Sequence, residues 1–340
     1  MLNDLFYNTW KGRRFVKYYI GVDGGATKTA ICAAAADSSA VLTEMTSSAS
    51  WREYGVEHVV GIIKNVVDAF PIEAEGHIAG IAMGIPCYGE SDEGDRELET
   101  AISKAFPGIP LYITNDVEVG WAGSLGLAPG VNVVAGTGAI AYGKDESGKT
   151  ARSGGWSEFF GDEGSCYWVG RKAMQLFSQQ ADGRIPKDEL YNMIFSELKL
   201  KSDFDFIDLV HSEYMTNRDK VATLQLLARD AALAGSGSAV ALYRDAAHEL
   251  CRLVAAIRDR LHFKNKPFRV SYSGGLYRTG ELVLPHFFKC IEAVGGKPVI
   301  PKYEPVYGAL LLAFKQNCPD GLPGLYERLE EIEIKMNGVK

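Results

Sequence analysis

Short apolar runs alternate along this chain with longer segments of helical period. Tyr18, Tyr19, Ile20 and Val22 suit a buried strand, and Thr29, Ala30 and Ile31 begin a second. Between them Asp23, Gly24, Gly25, Ala26, Thr27 and Lys28 form a tight turn. Ala40 to Met45 predicts a third strand. Val59, Ile62, Ile63, Val66 and Val67 share one face of a helix predicted over His58 to Phe70. Ile78 to Met83 reads as a strand ending at Gly84-Ile85-Pro86. The acidic stretch Glu90 to Glu99 predicts a solvated loop running into a helix that ends at Ala105. Leu111 to Thr114 is a further strand, ending at Asn115-Asp116. Strands alternating with helices predict an α/β layered fold with parallel pairing, whose working residues sit at the carboxyl ends of strands.

The second half restarts the pattern. Val131 to Tyr142 is an apolar strand, a Gly136-Thr137-Gly138 turn and another strand. Two glycine-turn hairpins suggest a duplicated plan, repeated in pattern and not in letters. Residues 172 to 262 read as mostly helical, with helices over Asn217 to Ala234 and Ser238 to Leu261. Leu250, Val254, Ile257 and Leu261 make a core stripe on the second of these. A strand over Phe268 to Tyr272 meets the turn Ser273-Gly274-Gly275-Leu276. A helix over Glu281 to Ala293, with Pro285 marking its first turn, and a strand over Lys297 to Ile300 follow. Val306 to Phe314 predicts a buried helix behind that turn, and Leu322 to Met336 an amphipathic one.

Composition adds bounds. At 340 residues the chain is long enough for two domains. Hydrophobic residues make up 46% and charged ones 23%, as in a soluble globular protein. A net charge of -7 argues against a nucleic-acid partner. No basic helix-turn-helix precedes residue 18, which argues against a sugar-responsive repressor. No apolar run is long enough to span a membrane, and residues 1 to 17 lack the pattern of a signal peptide. The six cysteines are scattered without a CxxC pair, which predicts free thiols in a reducing cytoplasm.

Three stretches carry candidate chemistry. The Asp23 to Thr29 turn fits a plain hairpin and fits an anion cradle: its glycines allow close approach, and Asp23 can face a metal ion. The loop Thr46 to Trp51 sets one large aromatic beside small hydroxyls, as surface or as a sugar face. Arg152 to Arg171 crowds glycines, two tryptophans, Glu158, Asp162 and Glu163 around a helix start that Asp162 or Ser165 could cap. Its glycines and aromatics favour a ligand loop.

The order of these motifs is informative. DGGATKT at 23–29, NDV at 115–117, GTGAI at 136–140, GGWSEFFGDEGS at 154–165 and SGGL at 273–276 together resemble the N-acetylglucosamine kinase family. That family lies within the BadF/BadG/BcrA/BcrD ATPase group of the actin–hexokinase–Hsp70 superfamily. The resemblance spans roughly residues 18 to 315. It implies two ribonuclease-H-like, actin-like ATPase domains around a central cleft. They would cover 18–118 and 119–315, the second with a helical insertion, after an extension over 1–17. A C-terminal helix over 316–340 would pack back on the N-terminal domain.

By the same resemblance ATP, with Mg²⁺ near Asp23, meets a first phosphate loop at Asp23, Gly24, Gly25, Thr27, Lys28 and Thr29. A second phosphate loop falls on Gly136, Thr137 and Gly138, and the adenosine-side turn on Gly274 and Gly275. Asp116 falls on the general base. Ser50, Trp51, Asn115, Asp116, Gly155, Trp156 and Asp162 fall on the sugar side. The implied activity is transfer of the γ-phosphate of ATP to a hydroxyl, O6, of an amino sugar, with N-acetylglucosamine foremost. Expected partners are the sugar and ATP, with no nucleic acid or membrane, and a homodimer.

The sugar loop departs from the family. Ser48-Ala49-Ser50-Trp51 lacks the asparagine usual just ahead of the tryptophan, which leaves glucosamine and N-acetylmuramic acid open as acceptors. A competing reading within the same group is the ATPase activator of a 2-hydroxyacyl-CoA dehydratase, whose iron–sulfur cluster would need cysteines such as Cys87 and Cys166.

Overall fold

The computed structural model describes residues 16–39, 41–72, 76–264 and 266–337. The extension expected over residues 1 to 17 lies outside the described residues as far as residue 15, and Lys17 is already the first residue of a strand. The chain divides into two compact units. One takes the described residues up to Leu127 together with those from Lys302 onward, and the other takes Ala128 to Pro301.

The first unit holds strands β1 (Lys17–Gly24), β2 (Thr29–Ala35), β3 (Val41–Thr46), β4 (His77–Ile85) and β5 (Leu111–Asn115), ordered β3-β2-β1-β4-β5. β1, β2 and β3 pair antiparallel, while β4 joins β1 and β5 joins β4 in parallel. Ile20, Val22, Ile31, Ile81 and Met83 pack with Val59, Ile63, Leu98 and Ile102 of the helices Val56–Ala69 and Asp92–Ala105. Full burial of each such side chain contributes about 1.5–3 kcal/mol. The helix Pro305–Asn317 is buried nearly throughout and lies close to β1. A Cβ at Gly21 would meet the Leu310 backbone nitrogen at 2.4 Å, so only glycine lets strand and helix approach this far.

The second unit holds β6 (Gly130–Ala135), β7 (Ala139–Lys144), β8 (Thr150–Gly154), β9 (Phe268–Ser273) and β10 (Gly296–Pro298), ordered β10-β9-β6-β7-β8. β6, β7 and β8 pair antiparallel, and β9 and β10 continue in parallel from β6. Read from the other edge, this is the topology of the first sheet. The helix Gly237–Arg258 lies on it, and the helices Cys166–Ala181, Glu189–Glu197 and Arg218–Leu233 pack against that helix and one another around an alanine-rich core.

Three expectations are corrected. The boundary expected between residues 118 and 119 falls inside the helix Asp116–Leu125, so the chain passes between units only after Leu127. Residues 302 to 315, expected in the second domain, belong to the first unit. There a Cβ at Gly308 would lie 2.0 Å from the Val119 carbonyl oxygen, a contact that no local pattern reveals. The acidic stretch after Ser91 is helix and not loop. Ser91 caps Gly94 N–H, and Asp92, Glu93 and Asp95 sit where the helix dipole favours negative charge.

Candidate active site

In the first unit the parallel strands β1, β4 and β5 end side by side. Asp23 is in register with Gly84, and Ile85 with Asn115. Asp116 is the first residue of the following helix. The Gly24–Lys28 turn closes with Gly25 N–H donating to the Lys28 carbonyl at 3.0 Å. Ala49 N–H donates to the Gly25 carbonyl at 3.1 Å, which ties the Thr46–Trp51 loop to this turn. A Cβ at Gly24 would lie 2.8 Å from the Gly84 carbonyl oxygen and 2.9 Å from the Ala49 Cβ. Thr29 is fully buried, and its hydroxyl has no hydrogen-bond partner among the described residues. Thr27 and Lys28 are exposed at the tip.

The electrostatics of this corner are unusual. The Asp23 carboxyl, half-buried, is pushed up to about 7 by burial first, then by the negative charges of Asp116 and Glu304, with Lys28 opposing. A carboxyl whose charge is opposed by two neighbouring acids marks a place a cation would relieve. No group of three His, Cys, Asp or Glu side chains among the described residues could hold a bare metal ion. Mg²⁺ usually keeps several waters and binds through one or two carboxylates plus substrate phosphates, so the corner fits a magnesium–nucleotide better than a free ion. Glu304, which precedes the helix Pro305–Asn317, was missed by motif reading: it lies far along the chain from Asp23 and belongs to no recognisable pattern.

Two residues expected on the sugar side have internal duties. Asn115 caps the helix Asp116–Leu125 by accepting from Val117 N–H at 3.2 Å, and its amide donates to the Tyr88 carbonyl at 2.7 Å. Trp51 lies against Gly94, where a Cβ would come within 2.2 Å of its ring. Its indole thus packs on the helix Asp92–Ala105 and joins the first unit's core. Ser50 precedes the short helix Trp51–Tyr54, and its N–H donates to Ser48 Oγ at 3.1 Å.

In the second unit two of the expected glycine turns come together. Gly136 N–H donates to the Gly138 carbonyl at 2.9 Å, and Cys166 N–H and Tyr167 N–H donate to the carbonyls of Gly136 and Thr137. Gly274, at φ +105°, packs against this turn: a Cβ there would lie 2.4 Å from the Ala135 carbonyl oxygen and 2.9 Å from Gly136 N. Gly275 opens the 3-10 segment Gly275–Leu282. On the neighbouring loop Gly155 holds φ +70° and donates its N–H to the Ala139 carbonyl at 2.9 Å. Trp156 is 67% exposed. Asp162 is 3% exposed, accepts from Ala139 N–H at 3.1 Å and from Arg218 Nη2 at 2.6 Å. Burial raises its carboxyl above the ordinary value, with Ala139 and Arg218 opposing. Ser165 caps the helix Cys166–Ala181 by accepting from Trp168 N–H.

The thiols depart from expectation. Cys251 and Cys290 form a disulfide with Cα atoms 6.1 Å apart, because the helices Gly237–Arg258 and Leu284–Ala293 pack side by side. Their separation of 39 residues hid the pairing. Cys32, Cys87, Cys166 and Cys318 are free.

Comparison with known proteins agrees with the motif order. The family model described as the BadF/BadG/BcrA/BcrD ATPase family matches residues 20–313. The chain belongs to this ATPase family. It is 27% identical over 307 residues to an N-acetylmuramic acid/N-acetylglucosamine kinase of Clostridium acetobutylicum, covering 88% of this chain and 98% of that protein. It is 26% identical over 316 residues to an N-acetyl-D-glucosamine kinase of Dictyostelium discoideum, covering 87% and 97%. Among solved structures, a candidate N-acetylglucosamine kinase of Chromobacterium violaceum superimposes with a TM-score of 0.69 at 24% identity, covering 88% of this chain and 99% of that one. A glucokinase of Streptomyces griseus shares the fold with a TM-score of 0.51 at 15% identity. The fold is therefore that of the actin-like sugar kinases. No described helix is long and apolar enough to cross a membrane.

Proposed function

We propose that this ATPase-family member is an ATP-dependent kinase of an amino sugar, acting on O6 of N-acetylglucosamine or N-acetylmuramic acid. The observation that carries this reading is the pair Asp23 and Asp116. They stand at the carboxyl ends of the strands flanking β4, close enough that the charge of one raises the pKa of the other. Phosphoryl transfer demands positioning and charge neutralisation more than covalent chemistry. Asp23 and the Gly24–Thr29 turn take the phosphate end, where Mg²⁺ held with ATP would neutralise developing charge. The Gly136–Gly138 turn serves as a second phosphate loop, and the Gly274–Gly275 turn takes the adenosine side. Asp116 accepts the proton of the attacking hydroxyl, a role that contributes about 10²–10⁴-fold in rate. Trp156 offers an aromatic face to the sugar ring. A carboxylate has about four lone-pair positions, so Asp162, with two in use, keeps capacity for a sugar hydroxyl.

The sulfur placement lends nothing to the dehydratase-activator alternative. Cys166 is buried, burial pushes its thiol up to about 11, and two of the six cysteines are joined to each other. Cytoplasmic residence and a homodimer belong to the same reading. The test is ADP release over glucose, glucosamine, N-acetylglucosamine, N-acetylmannosamine and N-acetylmuramic acid, run beside Asp116→Ala. Sugar-dependent turnover lost in the variant is expected. No turnover with any sugar, or an unimpaired variant, overturns the proposal.

A further inference from the structure

Arg218 belongs to no motif of the sequence, yet it reaches both functional loops of the second unit. It is the first residue of the helix Arg218–Leu233, capped by Asn217. Its Nη2 donates to Asp162 at 2.6 Å, and its Nε lies 3.7 Å from Glu158. A Cβ at Gly138 would come within 2.5 Å of the same Nη2 and 3.0 Å of both Asp162 oxygens. The next residue, Asp219, accepts from the Thr137 hydroxyl at 3.3 Å. One helix start thus touches two of the three residues of the Gly136–Gly138 turn and the buried acid of the neighbouring loop. The Arg218 side chain is 40% exposed, so the guanidinium has open space beyond these contacts.

We propose that Arg218 is a positioning residue for both substrates: it fixes Asp162 for the sugar and holds the Gly136–Gly138 turn for the nucleotide phosphates. This rests on the kinase reading. A planar guanidinium suits the task because its donors are set in a fixed fork, whereas a lysine presents a single point charge. A carboxylate only 3% exposed needs such a partner to orient it and balance its charge. Asp162 then aligns β7 through Ala139 N–H on one side and the turn on the other, so a disturbance in one loop is felt in both.

The test compares wild type with Arg218→Gln, Arg218→Lys, Arg218→Ala and Arg218→Ala/Asp162→Asn. It measures kcat, KM for sugar, KM for ATP, ADP binding by calorimetry, and thermal stability. The double variant removes the uncompensated buried charge, so its stability returns toward wild type. Misplacement of reacting groups by about 1 Å costs on the order of 10²-fold, and kcat/KM in Arg218→Gln is expected to fall by roughly that factor, while the double variant serves only as the stability control. Both KM values rise, and ADP binds about tenfold more weakly. Arg218→Lys recovers part of the loss. An Arg218→Gln that loses stability but keeps wild-type kcat and both KM values makes Arg218 merely structural and overturns the proposal. So does an Arg218→Gln within threefold of wild type in all parameters. If Arg218→Ala does not fold, the glutamine and lysine variants decide alone. An inactive wild type that binds ADP sinks the kinase reading instead. The nucleotide half of the proposal is then judged by ADP binding in Arg218→Gln.

Discussion

Asp23→Asn should make the protein more stable and less active, and the gain should depend on pH. The folded chain holds the Asp23 carboxyl at about 7 against an ordinary 3.8, because burial, Asp116 and Glu304 all oppose its charge. At about 1.4 kcal/mol per pH unit the difference caps the penalty near ~4 kcal/mol. The carboxyl is only half-buried and keeps some water, so about 1–3 kcal/mol is expected. The sign follows from proton binding. Below pH 4 the carboxyl is protonated in both states and costs nothing. Between 4 and 7 the folded state holds a proton that the unfolded state has released, so wild-type stability falls as pH rises. Above 7 the full penalty is present. Asparagine never carries the charge, so the variant's advantage is absent at pH 4, grows to pH 7 and then levels off.

Urea unfolding of metal-free protein at pH 4.5, 6 and 8 reads this out directly, with magnesium and ADP added in a parallel series. Nucleotide with magnesium should stabilise wild type more than the variant, by linkage to the folded state. Sugar phosphorylation should drop by roughly 10²-fold or more. A stability gap that does not change with pH, or that opens toward low pH, would refute the electrostatic account of this corner.

Other substitutions separate packing from ligand contact. Gly274→Ala places a methyl 2.4 Å from the Ala135 carbonyl oxygen at φ +105°, and should cost roughly 2–4 kcal/mol in denaturant unfolding. Trp51→Ala empties a packed position against Gly94 and should cost about 1–3 kcal/mol. Trp156→Ala should leave stability within about 0.5 kcal/mol, while raising KM for the sugar about tenfold, which steady-state kinetics will show. Alkylation of unfolded, unreduced protein should label four cysteines, with mass spectrometry finding Cys251 and Cys290 protected.

Most of the strands were legible because buried strands write themselves as apolar runs punctuated by glycine. Both hairpins, β1–β2 and β6–β7, stand where the pattern predicted them. What failed to show was contact across distance. Glu304 acts on Asp23 only because the helix Pro305–Asn317 returns to the first sheet, and Arg218 reaches Gly138 only because its helix packs along the helix Cys166–Ala181. The acidic run after Ser91 misled for a local reason: its charges suggested solvent, whereas their crowding at a capped helix start is itself a helix signal. The packing of Trp51 was hidden for a tertiary reason, since nothing in the sequence beside its serines shows that it lies against a facing glycine.

The two sheets share one topology and differ in chemistry, and that difference is the strongest argument about how labour is divided. The parallel strand ends of the first unit carry Asp23 and Asp116, with Glu304 beside them. In the second unit Gly136 follows β6, the counterpart of β1, and Gly274 follows β9, the counterpart of β4, with no acid at either turn. Carboxylates are needed where a cation is held and a proton removed. Glycines are needed where a chain must pass close to another backbone or to a ligand. In the second unit, negative charge enters beside the turn, through Asp162 and Asp219, and Arg218 is paired with the buried one. On the proposed reading, a duplicated scaffold carries the proton and cation chemistry on the acids of one half and gives the nucleotide glycine turns from both. Exchanging the two characters, by Gly136→Asp, should therefore abolish nucleotide binding in calorimetry without unfolding the sheet, because the added charge would repel phosphate while Arg218 is already paired with Asp162.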